Sequence, residues 1–218
     1  MTDRWATFDC YGTLIDWERG IRDTFELLWP KADAHALLDR YHAIEPAVQS
    51  GSDMAYTDVL ADVLRRIAVE HDLPLDDAHA LSSTLPHWPP FDEVPAALSD
   101  ARDRGFKLAI LSNTDPDLLD TSIGRIGVDV DLRITAAEAG SYKPAPGHWE
   151  RFFAASGADA RRHVHVAASL FHDIEPANRL GLLAIWINRK DERSDLPRVA
   201  ELPDLVGLAV ALDAAVPR

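Results

Sequence analysis

Apolar runs alternate with amphipathic segments over most of the chain, and each kind predicts a different element. Short runs rich in apolar and β-branched residues predict strands over 5–9, 107–112, 133–135, 163–168 and 183–187. Their near-continuous apolar character is typical of parallel strands that are covered on both faces. Amphipathic segments between them predict helices over 94–104, 115–124, 147–156 and 174–180. This alternation predicts an α/β fold with a doubly wound, mainly parallel, Rossmann-like sheet.

The segment from residue 17 to residue 88 departs from this alternation. It contains no convincing strand, and its apolar residues, such as Ile21, Phe25 and Leu28, recur at helical spacing. A proline-rich stretch around Pro89 then prevents regular helix before the alternation resumes. We therefore predict an all-helical cap domain inserted into the α/β core. The predicted boundaries are 1–15 and 91–218 for the core domain and 16–90 for the cap domain.

Composition and charge narrow the classes of partner and location. The chain has 218 residues, 47% of them hydrophobic, which is enough for a sizeable core. A single cysteine excludes an internal disulfide, and no signal-peptide pattern or membrane-span run is present, so we expect a cytoplasmic protein. The net charge of −14 disfavours nucleic acid and anionic membrane surfaces as partners. A small molecule is the expected partner, and a homodimer is compatible with the sequence.

A carboxylate ends the first predicted strand. Asp9 follows a buried apolar run and precedes a turn that contains Gly12 and Thr13. In open α/β sheets the ligand site lies beyond the carboxyl ends of the strands, and turn N–H groups there can bind an anion. An aspartate at this place can act as a nucleophile. The alternative is an ordinary turn or capping aspartate, and this stretch alone does not separate the two.

Further polar side chains follow three later strands. Ser112 and Asn113 follow the second strand, Lys143 the third and Asp173 the fourth. Taken singly, each is compatible with a helix cap or a solvated loop. Because the carboxyl ends of parallel strands share one edge of a sheet, the combination with Asp9 favours a catalytic centre over separate loops.

These four motifs, in this order, resemble those of the haloacid dehalogenase superfamily. The first is Asp9-Cys10-Tyr11-Gly12-Thr13, and the others are Ser112, Lys143 and Asp173. The resemblance covers essentially the whole chain, and the helical insert after the first motif resembles the cap of that superfamily. It implies a hydrolase in which Asp9, Ser112, Lys143 and Asp173 are the catalytic residues.

Tyr11 bears on which reaction is expected. Phosphatases of the superfamily carry a second aspartate at this position, which protonates the leaving group. A tyrosine, with a reference pKa of about 10, cannot replace a carboxylic acid in that role near neutral pH. Asp9 and Asp173, with His172 and Glu175 nearby, would also make a thin site for a hard cation. We therefore expect no metal, and Mg²⁺ only if the protein is a phosphatase.

The string FDCYGT is similar to the first motif of (S)-2-haloacid dehalogenases of type II. That resemblance implies metal-independent conversion of (S)-2-haloalkanoic acids to 2-hydroxyacids through an aspartyl ester on Asp9. It also implies substrate or halide contacts for four residues, namely Tyr11, Arg40, Asn113 and Trp149. For two of them a structural reading stays open, because Arg40 could be a surface charge and Trp149 could belong to the core.

The fourth motif departs from the type II pattern. Where those enzymes typically have Ser-Ser-Asn-x-x-Asp, this chain has Ala168-Ser169-Leu170-Phe171-His172-Asp173. In the family, the missing polar groups help to position the lysine and the hydrolytic water. A magnesium-dependent phosphatase of the same superfamily and a non-catalytic binding relative therefore remain alternatives. His163 and His165 alternate in the preceding strand, but without further ligands at a suitable spacing they are weak metal candidates.

Overall fold

A parallel sheet forms the centre of the protein in a computed structural model that describes residues 3–49 and 54–218. Its strands are β1 Arg4–Phe8, β2 Phe106–Ser112, β3 Leu132–Thr135, β4 His163–Ala167, β5 Leu183–Ile187 and β6 Ala200–Leu202. The six strands are ordered β3-β2-β1-β4-β5-β6, and every neighbouring pair is parallel. This confirms the predicted Rossmann-like α/β class. Strand β6 was not predicted.

Helices cover both faces of the sheet and fill the insert after β1. They are α1 Trp17–Leu28, α2 Ala34–Gln49, α3 Tyr56–Glu70, α4 Ala80–Thr84, α5 Val94–Asp103, α6 Pro116–Ile126, α7 Ala136–Ala139, α8 Gly147–Ser156, α9 Glu175–Arg179 and α10 Leu208–Ala215. Short 3₁₀ turns occupy Leu85–His87 and Ala160–Arg162, and a π-helical turn spans Leu170–Ile174. None of the described helices combines the length and apolar character needed to cross a bilayer.

Two apolar clusters hold the sheet between its helical layers. Successive side chains of a strand point to opposite faces, so Phe8 joins the larger cluster and Trp5 the smaller one. Trp5 packs edge-on against Phe152 of α8, with ring centroids 5.3 Å apart. The larger cluster continues into the insert, where Phe25 and Leu64 are fully buried. The apolar stripes of the insert are therefore part of the same core as one face of the sheet.

The two chain segments that join the insert to the sheet run side by side. Ile15 forms an antiparallel bridge with Pro90, and the N–H of Phe91 donates to the carbonyl of Leu14 at 3.0 Å. The N–H of Asp16 donates to the carbonyl of Pro89 at 2.9 Å. The predicted boundaries at 15/16 and 90/91 fall at this pair of crossings.

The topology determines which loops meet. Strand β1 lies between β2 and β4, with β3 beyond β2 and with β5 and β6 beyond β4. The strand order therefore reverses at β1, and a ligand site is expected at such a switch point, beyond the carboxyl ends of the strands. The loops after β1, β2 and β4 lie together there, and helices α1 and α2 of the insert line the same cavity.

Candidate active site

The carboxylate of Asp9 is held from two sides at the end of β1. Its Oδ1 accepts a hydrogen bond from Lys143 Nζ at 2.8 Å, and its Oδ2 accepts one from the Thr13 hydroxyl at 2.8 Å. The Thr13 hydroxyl oxygen accepts in turn from the N–H of Ala168 at 2.9 Å. Gly12, with a φ of +92°, makes the turn that brings Thr13 back to the carboxylate. The orientation of the Asp9 side chain is therefore fixed by its neighbours.

Lys143 joins Asp9 to Asp173 inside the protein. Its Nζ donates to Asp9, to Asp173 Oδ1 at 2.7 Å and to the carbonyl of Leu111 at 2.9 Å, which uses all three ammonium protons. The Lys143 side chain is 2% exposed. Three residues that are far apart in the sequence thus form one buried charged centre, as expected for a parallel sheet edge.

Burial and neighbouring charges shift the pKa values of this centre in opposite directions. Burial raises the pKa of Asp9, and the Lys143 ammonium and the Thr13 hydroxyl oppose that rise. Burial acts on Asp173 in the same sense, but Lys143 and His165 hold the pKa of Asp173 well below its usual range. Although burial favours a neutral amine, the two carboxylates raise the pKa of Lys143. With all three groups ionised, the centre carries one net negative charge, shared between two carboxylates that both contact Lys143.

Ser112 and Asn113 lie at the end of β2 and line the cavity. The Ser112 hydroxyl is buried and has no hydrogen-bond partner among residues 3–49 and 54–218, so it is available to a ligand. The Asn113 amide is engaged elsewhere. Its Nδ2 donates to the carbonyl of Lys143 at 3.0 Å, and its Oδ1 accepts from the N–H of Lys143 at 2.6 Å. The Asn113 side chain therefore clamps the loop that carries Lys143, and the expected substrate contact through the backbone N–H at Asn113 stays a prediction.

A cavity of about 690 Å³ separates the centre from the insert, a volume typical of small-molecule sites. The core lines it with Asp9, Tyr11, Ser112, Lys143, Asp173 and Arg189, and the insert with Arg19, Arg22, Tyr41, His42, Glu45 and Gln49. The Tyr11 hydroxyl hydrogen-bonds Ser122 Oγ at 2.9 Å, and burial raises the pKa of Tyr11 well above its ordinary value. Tyr11 therefore lines the cavity as a neutral phenol, and its expected contact with substrate or halide stays a prediction.

Arg40 does not line the cavity, and this corrects the expected halide contact. Its Nη2 donates to Glu70 Oε2 of α3 at 2.7 Å, and its side chain is 41% exposed. Consecutive helix residues differ by about 100° in direction, so Tyr41 turns to the cavity while Arg40 turns to α3. The guanidinium groups that the insert does present to the cavity belong to Arg19 and Arg22.

Trp149 also lies away from the cavity, which corrects the expected substrate contact. Its side chain is 1% exposed and packs edge-on against His165, with ring centroids 5.2 Å apart. It belongs to the smaller apolar cluster together with Phe152, one turn further along α8. Trp149 is therefore a core residue, the alternative that the sequence left open.

Two polar residues that line the cavity from α2, Glu45 and Gln49, were missed by the sequence analysis. Tyr41, Glu45 and Gln49 follow at intervals of four residues and all line the cavity. Gln49 Nε2 donates to Glu45 Oε1 at 3.0 Å, and burial raises the pKa of Glu45 to about 7. The i, i+4 spacing was the available signal, because residues four apart share a helix face.

Glu45 should make stability depend on pH. Between its ordinary pKa and about 7, folded Glu45 keeps a proton that the unfolded chain releases, so the free energy of unfolding falls as pH rises through this window. The expected fall is on the order of 2–3 kcal/mol between pH 4.5 and 8, and Glu45→Gln should remove it. Urea unfolding at several pH values measures how the free energy of unfolding depends on pH in the parent and in Glu45→Gln. Glu26→Gln, at an exposed site on α1, is the control, and identical slopes for all three proteins would contradict this assignment.

The fold and these contacts define the class: an α/β protein with a carboxylate–ammonium–carboxylate centre beneath a helical insert. A model of the haloacid dehalogenase-like hydrolase family matches residues 4–181. The chain is 30% identical over 190 residues to haloacetate dehalogenase H-2 of Moraxella sp. (strain B), covering 84% of each protein. It is 27% identical over 199 residues to (S)-2-haloacid dehalogenase of Pseudomonas sp. (strain YL), covering 84% of this chain and 81% of that enzyme.

A solved structure extends the same comparison. The L-2-haloacid dehalogenase RSc1362 superposes with a TM-score of 0.85 at 24% identity, over 98% of this chain and 100% of that one. The chain therefore belongs to the family of haloacid dehalogenase-like hydrolases. The family resemblance predicted from the four motifs is confirmed.

Proposed function

We propose that the protein is a hydrolytic dehalogenase that converts (S)-2-haloalkanoic acids to 2-hydroxyacids through an ester on Asp9. The observation that carries this proposal is the setting of Asp9, which is oriented by Lys143 and Thr13 at the floor of a cavity. Position 11 there carries a neutral phenol instead of a second carboxyl group. A halide leaves without needing a proton, so this site lacks nothing that carbon–halogen cleavage requires.

The substrate carboxylate finds a hydrogen-bond donor at the end of β2. The free Ser112 hydroxyl can donate to it. The three protons of the Lys143 ammonium are already engaged, so Lys143 attracts the anion by its charge from beside the same part of the cavity. This placement leaves the halogen-bearing carbon toward Asp9 and the halogen toward the insert. We assign the departing halide to Arg19 and Arg22 in place of Arg40. No carboxylate among the described residues pairs with Arg22, so its charge is available.

In the first step an Asp9 oxygen forms a bond to C2 of the substrate, and the carbon–halogen bond breaks with its electron pair leaving on the halide. Approach opposite the halogen inverts the configuration at C2. The raised pKa of Asp9 accompanies a carboxylate that is poorly solvated, and poor solvation favours attack. The product of this step is an ester between the Asp9 carboxyl group and the 2-position of the acid.

In the second step water attacks the carbonyl carbon of that ester. Lys143 Nζ and the Thr13 hydroxyl each hold one Asp9 oxygen, so whichever oxygen stays the carbonyl oxygen of the ester has a donor that stabilises the oxyanion developing there. Asp173 Oδ2 has no hydrogen-bond partner among the described residues and can accept a proton from the water. The ester C–O bond then breaks, the proton passes to the departing alkoxide, and Asp9 keeps one oxygen from water.

The donor set does not fit a divalent metal ion. Lys143 Nζ already bridges Asp9 and Asp173, and Tyr11 supplies no carboxylate. A hard cation such as Mg²⁺ needs several oxygen ligands, usually including more than one free carboxylate. Within the described ranges, no three His, Cys, Asp or Glu side chains converge as metal ligands would. The proposed mechanism therefore uses no metal ion.

Halide release in the presence of a chelator tests the proposal. Purified protein is incubated with (S)- and (R)-2-chloropropionate, with and without EDTA, and chloride and lactate are measured. We expect chloride and (R)-lactate from the (S) substrate only, at the same rate with EDTA. In parallel, 4-nitrophenyl phosphate with Mg²⁺ tests the phosphatase alternative. Phosphate release that EDTA abolishes, without chloride release, would overturn the proposal, and the absence of any turnover would favour the binding relative.

A further inference from the structure

A chain of hydrogen bonds lies behind Asp173, inside the sheet. His165 Nε2 lies 3.0 Å from Asp173 Oδ1, and His165 Nδ1 lies 2.8 Å from the Thr7 hydroxyl oxygen. The same hydroxyl oxygen lies 2.8 Å from His163 Nε2. All four side chains are fully buried. Both histidines are on β4, and Thr7 is the register partner of His165 on β1.

The chemistry of the end groups decides which atom donates in each of these hydrogen bonds. The ionised Asp173 carboxylate can only accept, so His165 donates from Nε2–H. The Thr7 hydroxyl then donates to His165 Nδ1, and the Thr7 oxygen accepts from His163 Nε2–H. Burial lowers the pKa of His163 to about 3, and its Nδ1 has no partner in the described part of the chain, as a neutral ring of this tautomer requires. Every donor from His163 to Asp173 thus meets one acceptor.

These hydrogen bonds support Asp173 where its own loop does not. Ala168 and Leu170, shortly before Asp173, have side chains that cannot hydrogen-bond. Asp173 is instead held from within the sheet. His165 of β4 donates to Asp173 Oδ1, the same oxygen that accepts from Lys143. That arrangement leaves Asp173 Oδ2 unpaired, in a residue that lines the cavity.

We propose that His165 is a positioning residue for hydrolysis of the Asp9 ester, with Thr7 fixing its tautomer. It orients Asp173 so that Oδ1 holds Lys143 while Oδ2 stays free of protein partners within the described ranges. The proposal rests on the proposed function, and it assigns His165 to the second step. Loss of His165 should therefore slow ester hydrolysis while ester formation continues.

Single-turnover kinetics with (S)-2-chloropropionate test the proposal, using His165→Leu, His165→Gln and His163→Leu. Chloride release reports ester formation, and intact-protein mass spectrometry reports the ester on Asp9. We expect His165→Leu to slow hydrolysis about 100-fold, with ester formation within about threefold of the parent. The ester then accumulates, and kcat and KM fall together. His165→Gln, whose Nε2 can take the place of the imidazole Nε2–H, should recover at least about tenfold.

His163→Leu is the matched control, because it removes a buried histidine from the same strand but leaves Thr7, His165 and Asp173 connected. We expect a similar loss of thermal stability and hydrolysis within about threefold of the parent. Equal hydrolysis rates in His165→Leu and the parent would overturn the proposal. So would a glutamine variant that is no faster than the leucine variant at equal thermal stability.

A readout that needs no substrate separates this proposal from the proposed function. In ¹⁵N-labelled protein, the hydrogen-bonded Nε2–H of His165 should give a resolved NMR signal that persists in His163→Leu and shifts in Asp173→Asn. If the parent releases no halide but this signal behaves as stated, the proposed function fails and the hydrogen bonds from His163 through Thr7 and His165 to Asp173 stand. If the signal is absent or does not respond to Asp173→Asn, the positioning role fails whatever the substrate.

Discussion

Replacing Asp9 by asparagine should lower the turnover of (S)-2-chloropropionate by about 10⁴-fold or more. The amide is a poor nucleophile, yet its oxygen can still accept from Lys143 or Thr13, so the pocket should keep its shape. A halide electrode measures the rate, and circular dichroism with thermal unfolding shows whether the variant is folded. The effect is expected in kcat, because the group that is removed forms the new bond.

Asp62→Asn is the matched control for that variant. Asp62 pairs with Arg66 on the surface of α3, so the same chemical change there should leave turnover unaltered. An Asp9→Asn protein that retained more than about 1% of parental turnover, after a check for deamidation by mass spectrometry, would exclude Asp9 as the nucleophile.

Replacing Lys143 by methionine should have the largest effect on stability. Asp9 and Asp173 would remain buried without the ammonium that neutralises them, and breaking a buried ion pair in this way costs about 3–5 kcal/mol. Without Lys143 the folded-state pKa of each carboxyl rises, so the loss should be greatest at pH 8 and shrink as pH falls and the carboxyls are protonated. Urea unfolding at pH 5 and pH 8 measures this difference.

Lys107→Met provides the comparison for Lys143→Met. The Lys107 ammonium pairs with Asp3 at 2.7 Å on the surface, where its side chain is 45% exposed, so its removal should change the free energy of unfolding far less than Lys143→Met at either pH. Turnover should also be lost in Lys143→Met, because the same ammonium orients Asp9. Equal stabilities of Lys143→Met and the parent at pH 8 would contradict the charged centre described above.

The central strands could be predicted from sequence because they are buried on both faces. Every residue of β1 and β4 is buried, so both appear in the sequence as dense apolar runs despite His163 and His165. Strand β6 lies at the edge of the sheet, is three residues long and has no fully buried position. Neither length nor pattern distinguishes such a strand from a loop, so its pairing with β5 is visible only in the fold.

The core half of the site was predictable for a related reason. Asp9, Ser112 and Asp173 follow parallel strands, so the topology brings them to one edge of the sheet. The half of the site on the insert was not predictable, because a count along the chain places a residue on a helix without saying which face is turned to the cavity. Packing of α2 between its neighbours decides that face, and it presents Glu45 while Arg40 turns away.

The hydrogen bonds that lead from His163 to Asp173 could not be predicted from the sequence. Two histidines that alternate in a buried strand were visible as unusual polar positions, but their partner Thr7 lies more than 150 residues earlier, on β1. The register between β1 and β4 pairs them, and no local pattern reports that register. Buried polar residues in an otherwise apolar strand are therefore worth following to their partners before they are dismissed.

The central claim is that an oxygen of Asp9 forms the bond to carbon and is exchanged when the ester is hydrolysed. It is tested most directly by a single turnover of (S)-2-chloropropionate, with enzyme in excess, in H₂¹⁸O. Mass spectrometry then locates the isotope in the peptide that contains Asp9 and in lactate. The account predicts ¹⁸O in the Asp9 carboxyl group and an unlabelled C2 hydroxyl in lactate. Label in that hydroxyl, with none in Asp9, would mean direct attack by water and would contradict it.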